Sequence, residues 1–175
     1  MWKYTGKERP PFAEQPADGQ ESVWDYPRPP VLQADQRRVM VYFDELLIAD
    51  STSTIRVLET AGAPTYYIPA DDIVGHEYLA PIDRRSICEW KGIATYCTFI
   101  DGEQSQNRLP ACGWQYTNPS NAFAAIKDHY SFYPALLDCF IDDEKVTPQP
   151  GGFYGGWVTS QIVGPIKGEP GSEAW

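Results

Sequence analysis

Ser86-Ile87-Cys88-Glu89-Trp90-Lys91-Gly92-Ile93-Ala94-Thr95-Tyr96 places a thiol, a carboxylate, an indole, an ammonium and a glycine at consecutive positions, 88 to 92. The chain continues as Cys97-Thr98-Phe99-Ile100, and the run from Ile93 to Ile100 is rich in β-branched and aromatic residues, which predicts a strand. A short polar loop feeding a rigid strand is where sites tend to sit. This stretch therefore predicts a β architecture whose chemistry gathers at the mouth of one central strand.

Working outward, the neighbouring sequence falls into short strand-like pieces. Arg38–Phe43 and Leu46–Asp50 are separated by Asp44-Glu45 and read as a hairpin, with Val39, Val41 and Phe43 on one face and Met40 and Tyr42 on the other. Thr54–Thr60 and Thr65–Pro69 form a second hairpin around Ala61-Gly62-Ala63-Pro64, with Glu59 near its turn end. Ala70–Val74 opens with two acids and suits the first turn of a short helix, and Phe123–Lys127 suits one more helical turn. Asp101-Gly102 predicts a turn, with Glu103–Leu109 returning as an edge strand. Cys139–Ile141 and Glu144–Val146 predict a last hairpin around Asp142-Asp143.

Composition agrees with this division. The chain has 175 residues, 42% of them hydrophobic and 14% aromatic, enough for one packed domain. Sixteen prolines and fourteen glycines break it into short segments, which disfavours a helical protein. The expected fold is mainly β, a single domain of short twisted antiparallel sheets with at most two short helices. Residues 1–36 are expected to be an extended, proline-rich and aromatic arm docked on a β domain of residues 37–175, burying the rings of Trp24-Asp25-Tyr26.

A net charge of −10 argues against nucleic acid or an anionic membrane surface as a partner. No window has the length of a membrane-spanning helix, and the charged first residues do not resemble a signal peptide, so a cytoplasmic location is expected. The four cysteines, Cys88, Cys97, Cys112 and Cys139, are not spaced as CxxC, and no metal site is expected. The tail Pro150-Gly151-Gly152-Phe153-Tyr154-Gly155-Gly156-Trp157 is glycine-rich without matching a phosphate-binding loop.

Several stretches together resemble the bacterial and fungal family known as domain of unknown function 427. They are Trp24-Asp25-Tyr26-Pro27-Arg28-Pro29-Pro30, Val57-Leu58-Glu59-Thr60, Tyr66-Tyr67-Ile68-Pro69, Cys88-Glu89-Trp90-Lys91-Gly92, Phe132-Tyr133-Pro134 and the 150–157 tail. The resemblance implies a β-tent-like fold, shared with type B methionine sulfoxide reductases and the drug-binding domain of cereblon. It also implies a nucleotidyltransferase label, and with it magnesium as the one cofactor to be considered. Two-metal transfer needs clustered carboxylates, and Asp71-Asp72 and Asp142-Asp143-Glu144 stand in turn contexts instead.

The residues point to a small-molecule site, for a nucleotide or an acidic metabolite. Lys91 is a candidate anion binder or base, Glu59 a general base or an orienting partner for Lys91, and Cys88 a nucleophile beside that ammonium. Arg84-Arg85 is a candidate clamp for a carboxylate or phosphate, with Arg85 taken as the site residue and Tyr67, Trp90, Tyr96 and Trp114 as pocket walls. Against this stand the structural readings: a surface lysine, a glutamate salt-bridged to Arg56 or Arg85, a buried thiol and core aromatics. A non-catalytic binding module, or an interaction protein using exposed aromatics, is the alternative class.

Overall fold

The computed structural model describes residues 3–100 and 110–175. The expected turn at 101–102 and strand at 103–109 lie outside the described residues. The first half of the chain supplies β1 (Glu21–Ser22), β2 (Val31–Asp35), β3 (Val39–Phe43), β4 (Leu46–Ser51), β5 (Thr54–Leu58), β6 (Thr65–Tyr67), β7 (Leu79–Cys88) and β8 (Gly92–Phe99). The second half supplies β9 (Gly113–Gln115), β10 (Tyr130–Phe132), β11 (Asp138–Ile141), β12 (Glu144–Lys145), β13 (Thr147–Pro148), β14 (Trp157–Val158) and β15 (Ile162–Val163). Helical structure among the described residues is limited to short 3-10 turns, including Ala70–Asp72 and Asn121–Ile126 at the two anticipated places. The fold is mainly β, built from several short sheets.

Two four-stranded antiparallel sheets carry most of the core. One has the order β10-β9-β8-β7, the other β12-β11-β3-β4, and a three-stranded sheet, β2-β5-β6, stands beside them. A bridge between Ile68 and Tyr130 ties the end of β6 to β10. The face of β3 carrying Val39 and Val41 packs with Ile48, Tyr66, Phe99, Phe132 and Trp157 in the largest core cluster. Trp157 is fully buried, stacks on Tyr66 at 4.9 Å, and donates its indole N–H to the Phe132 carbonyl at 3.0 Å.

The N-terminal residues contribute both an added strand and a ring cluster. β2 pairs with β5 over five residues, from Val31 opposite Leu58 to Asp35 opposite Thr54. Trp24 is fully buried against Tyr4, Phe12 and Trp175, and its indole N–H bonds the Pro165 carbonyl at 3.1 Å. Aromatic rings meeting edge to face bury apolar area and gain electrostatically from their quadrupoles.

By its sequence Ser86–Lys91 is expected to be a loop. The chain instead forms the ten-residue strand β7 through Cys88, leaving Glu89, Trp90 and Lys91 to turn into β8. Among the described residues β7 is the edge strand of its sheet, where a proline and the charged run Asp83-Arg84-Arg85 are tolerated, because one row of backbone donors faces outward. Gly92 has φ of 100°, the left-handed conformation this tight turn requires.

The three-stranded sheet carries a buried ionic row. Gln33, Arg56 and Tyr66 lie directly opposite one another across β2, β5 and β6. The Arg56 side chain is 7% exposed and bonds Glu21 at 3.1 Å and the Gln33 side chain, with Asp35 at 3.4 Å from its Nε. Asp35 also accepts from Arg37 at 2.5 Å. Burial by itself would raise the Asp35 carboxyl, but the hydrogen bonds and charge of Arg37 outweigh it and hold it below the ordinary carboxylate value. A lowered folded-state pKa stabilises the fold above the unfolded carboxyl value of about 3.9, and that contribution is lost as pH falls through the folded value. Asp35→Asn is therefore expected to cost about 3 kcal/mol at neutral pH, since it removes the buried carboxylate shared by Arg37 and Arg56 and leaves Glu21 as the one acid on Arg56 among the described residues. In urea unfolding, the gap between wild type and variant should close as pH drops below about 4. A gap independent of pH would mean that Asp35 acts by packing alone.

Candidate functional site

One face of the β10-β9-β8-β7 sheet brings together most of the residues singled out in the sequence. Ile82, Tyr96, Trp114 and Ser131 are direct cross-strand partners, so their side chains form one row on that face. β6 brings Tyr67 over it, and the Tyr67 hydroxyl accepts the Trp114 indole N–H at 3.2 Å. Tyr116 lies 6.2 Å from Tyr67, and Tyr133 lies 4.6 Å from Trp114, ring centre to ring centre. Cys88 and Trp90 pack against this cluster from the end of β7 and the turn after it. The Cys88 thiol sits beside the Tyr116 hydroxyl, and the Tyr133 hydroxyl beside that of Tyr96. The result is a face of four phenols, two indoles and a thiol.

The turn that carries Trp90 and Lys91 is pinned. Ser120 donates its hydroxyl to the Trp90 carbonyl at 2.6 Å and its backbone N–H to the Lys91 carbonyl at 3.1 Å. This sets the Lys91 ammonium over the rings of Tyr116 at 5.8 Å and Phe123 at 5.9 Å. At the other edge the Arg84 guanidinium lies over the Tyr96 ring at 4.5 Å, and the Tyr96 hydroxyl shares a hydrogen bond of 2.8 Å with Ser86. Neither Arg84 nor Lys91 makes an ion pair among the described residues. Both edges of the face therefore end in a cation over an aromatic ring.

Two nominated residues stand elsewhere. Glu59 does not meet Lys91: its carboxylate takes the Arg28 guanidinium at 3.1 Å, beside the cluster of Trp24, Leu58 and Ala61. Arg85 points away, because β7 carries an irregularity after Ile82. Ile82 faces Tyr96, and the next paired residue is Arg85, opposite Thr95. The extra residues Asp83 and Arg84 bulge outward, which turns Arg84, and not Arg85, onto the ring of Tyr96. The sequence does not single out Tyr116, Tyr133 or Ser131, and it offers Arg84 only together with Arg85. Tyr133 had a signal, since it stands in the Phe132-Tyr133-Pro134 stretch. The places of Tyr116, Ser131 and Arg84 depend on register, which no local pattern reveals.

Burial dominates the chemistry of the phenols. It raises the hydroxyls of Tyr67, Tyr116 and Tyr133 above the ordinary tyrosine value, with neighbouring phenols adding to the effect for each. They are neutral donors and acceptors. Ser131 is fully buried on the same face, and its hydroxyl has no hydrogen-bond partner among the described residues. The tail closes over one side: a Cβ on Gly155 would stand 2.1 Å from the Trp114 ring, so only glycine lets the backbone lie there. Its neighbours Phe153 and Tyr154 are exposed.

The acidic pairs do not fit a magnesium site. Asp72 accepts the Ser51 hydroxyl at 2.5 Å, and Asp142 and Asp143 form the turn between β11 and β12. Among the described residues no group of three or more His, Cys, Asp or Glu side chains is arranged to hold a metal ion. His76 and His129 each contact a backbone carbonyl. Cys97 does gain a neighbour that its spacing did not indicate. Cys112 lies beside it inside the largest core cluster, and the hydrogen bond between the thiols, with burial, keeps Cys97 protonated. A surface groove of about 400 Å³ lies on the other four-stranded sheet and includes none of the nominated residues.

These features define a mainly β protein with a phenol-rich, cation-edged face. Residues 31–143, well over half of the chain, match the family described as Domain of unknown function (DUF427), whose label is of nucleotidyltransferase type. The chain belongs to that family. No curated protein matches it. No helix among the described residues is long and apolar enough to cross a membrane.

The buried phenols give a direct test of the face. A raised folded-state pKa stabilises the fold fully below the unfolded tyrosine value of about 10, and that contribution disappears as pH rises through the folded value. Phenolate absorbance of the native protein should therefore lag behind that of the urea-unfolded chain above pH of about 10, with the missing amplitude appearing only on alkaline unfolding. Tyr116→Phe should remove part of the lagging amplitude. Coincident native and unfolded titrations would show that the face is open to water.

Proposed function

We propose that the phenol-rich face binds a small anionic ligand with a planar group, a nucleotide or an acidic aromatic metabolite. The observation that carries this reading is the pair of cations, Arg84 and Lys91, held over rings at opposite edges without an ion pair to any carboxylate among the described residues. In a chain of net charge −10, acids are abundant, yet among the described residues none is paired with either group. A ligand anion is the complement of the two edges, and its planar part is the complement of the half-buried rings Trp90 and Tyr133 at the rim of the face. The phenols supply neutral hydrogen bonds for orientation. Four free cysteines suit a reducing, cytoplasmic setting.

This reading makes the protein a binding module first. Lys91 and Cys88 are the groups available if chemistry follows, Lys91 as a charge stabiliser and Cys88 as a nucleophile. Magnesium is not required for binding, which separates this reading from metal-dependent nucleotidyl transfer.

Thermal-shift measurements against nucleotides, nucleosides and acidic aromatic metabolites test it. A true ligand at about a hundred times its Kd adds about 2.7 kcal/mol and raises Tm by roughly 5–10 °C, with magnesium absent. Lys91→Met keeps the stem and removes the charge. It should change stability by less than about 1 kcal/mol and weaken the ligand about tenfold. A shift seen only with magnesium would favour the transferase label. Should Lys91→Met unfold the protein while binding per folded molecule is intact, Lys91 is structural and the reading fails.

A further inference from the structure

The outer face of the β12-β11-β3-β4 sheet is separate from the phenol-rich face and differs from it in sign. Met40 and Tyr42 of β3 point outward beside Phe140 of β11, since Tyr42 pairs with Asp138 and Met40 with Phe140. Tyr42 and Phe140 meet edge to face at 6.0 Å, and the Tyr42 hydroxyl contacts the Met40 sulfur at 3.5 Å. These three side chains floor a groove of about 400 Å³, a size suited to a small molecule. Its other lining residues are Asp44, Glu45, Asp138 and Asp143.

The carboxylates are not gathered at one point. Asp44 and Glu45 belong to the turn after β3, near Tyr42 and Asp138, while Asp143 belongs to the turn after β11, at the Val39 end. The apolar floor lies between them, and the span is on the order of 15 Å at about 3.4 Å per residue. Asp138 already receives one ammonium, that of Lys145 at 2.6 Å, so this carboxylate is accessible to such a group from the solvent side.

We propose that this groove is a binding site for a linear polyamine. Ammonium groups would meet the carboxylates at the two ends, and the methylene chain between them would lie over Met40, Tyr42 and Phe140. Each part of the groove has a matching part in such a ligand. Aromatic faces attract alkylammonium groups electrostatically, and apolar floor and methylenes leave water together. A compact divalent cation would meet the carboxylates and leave the floor unused. A purely apolar ligand would leave four carboxylates facing it.

Isothermal titration of the full chain with spermidine tests this, with magnesium chloride and a hexalysine peptide as comparisons. Spermidine should bind saturably at one site per chain and do so still at physiological salt. Tyr42→Leu and Asp143→Asn should each weaken it about tenfold. Asp143 has φ of 66°, a conformation that asparagine adopts well, so this variant is expected to keep its fold, as its Tm will show. Absence of saturable binding overturns the proposal. So does an affinity unchanged in Tyr42→Leu, or one that magnesium or hexalysine equals, since charge alone would then explain the heat.

Discussion

Arg56 is the residue on which the arrangement of sheets depends. A guanidinium that is taken out of water costs several kcal/mol unless acids and amides surround it. Here the surrounding groups come from separate parts of the chain: Glu21 from β1, Gln33 and Asp35 from β2, and Tyr66 opposite it on β6. None of these can move without exposing the charge to an apolar interior. The register of three strands is thereby specified by one side chain. In a strand, a slip of one residue exchanges its faces. With Arg56 held on the ionic face, Ile55 and Val57 must face the other way, and so must Tyr67, which pairs with Ile55. The ionic row is thus the reason that Tyr67, and not Tyr66, reaches Trp114. Tyr66 stays behind to stack on Trp157 in the main core.

This explains which parts of the protein are legible in its sequence. The hairpin from Val39 to Ser51 announces itself, because Val39 and Val41 alternate with Met40 and Tyr42 and only one set is buried. The Asp142-Asp143 turn is also legible, although it lacks glycine, since aspartate tolerates positive φ. β7 is hidden. Its proline and charges are the marks of a loop in isolation, and they become the marks of an edge strand only when β8 is seen on one side and no other described strand on the other.

The candidate site divides in the same way. Composition singled out Trp90, Lys91, Cys88, Tyr96, Tyr67 and Trp114, and the fold brings them to one face because they sit on alternate positions of paired strands or on the turn joining β7 to β8. Glu59 was assigned from its nearness to a hairpin turn. Its real partner, Arg28, is thirty-one residues away in sequence, in the N-terminal segment, and no local pattern encodes that meeting. The choice between Arg84 and Arg85 rests on the irregularity in β7, whose two extra residues change which side chain faces Tyr96. Such irregularities twist an edge strand and re-aim a side chain at a site.

The two sheets use one physical device with opposite sign. An aromatic ring offers a negative face, and a charge placed near it decides what else can approach. On the sheet ending in β7, the protein supplies its own cations to the rings of Tyr96, Tyr116 and Phe123. An incoming group must then be planar or anionic. On the sheet containing β3 and β11, the charged groups lining the groove over Tyr42 and Phe140 are carboxylates, one of them already paired with Lys145, which favours an incoming cation. The net charge of −10 acts unequally on the two. Its long-range field draws cations toward the whole surface and repels anions, and this field is screened beyond about 8 Å at physiological salt. Added salt therefore removes attraction from the carboxylate groove. At the phenol-rich face it weakens the two local contacts and also lifts the general repulsion, so binding there has reason to be the less salt-sensitive of the two.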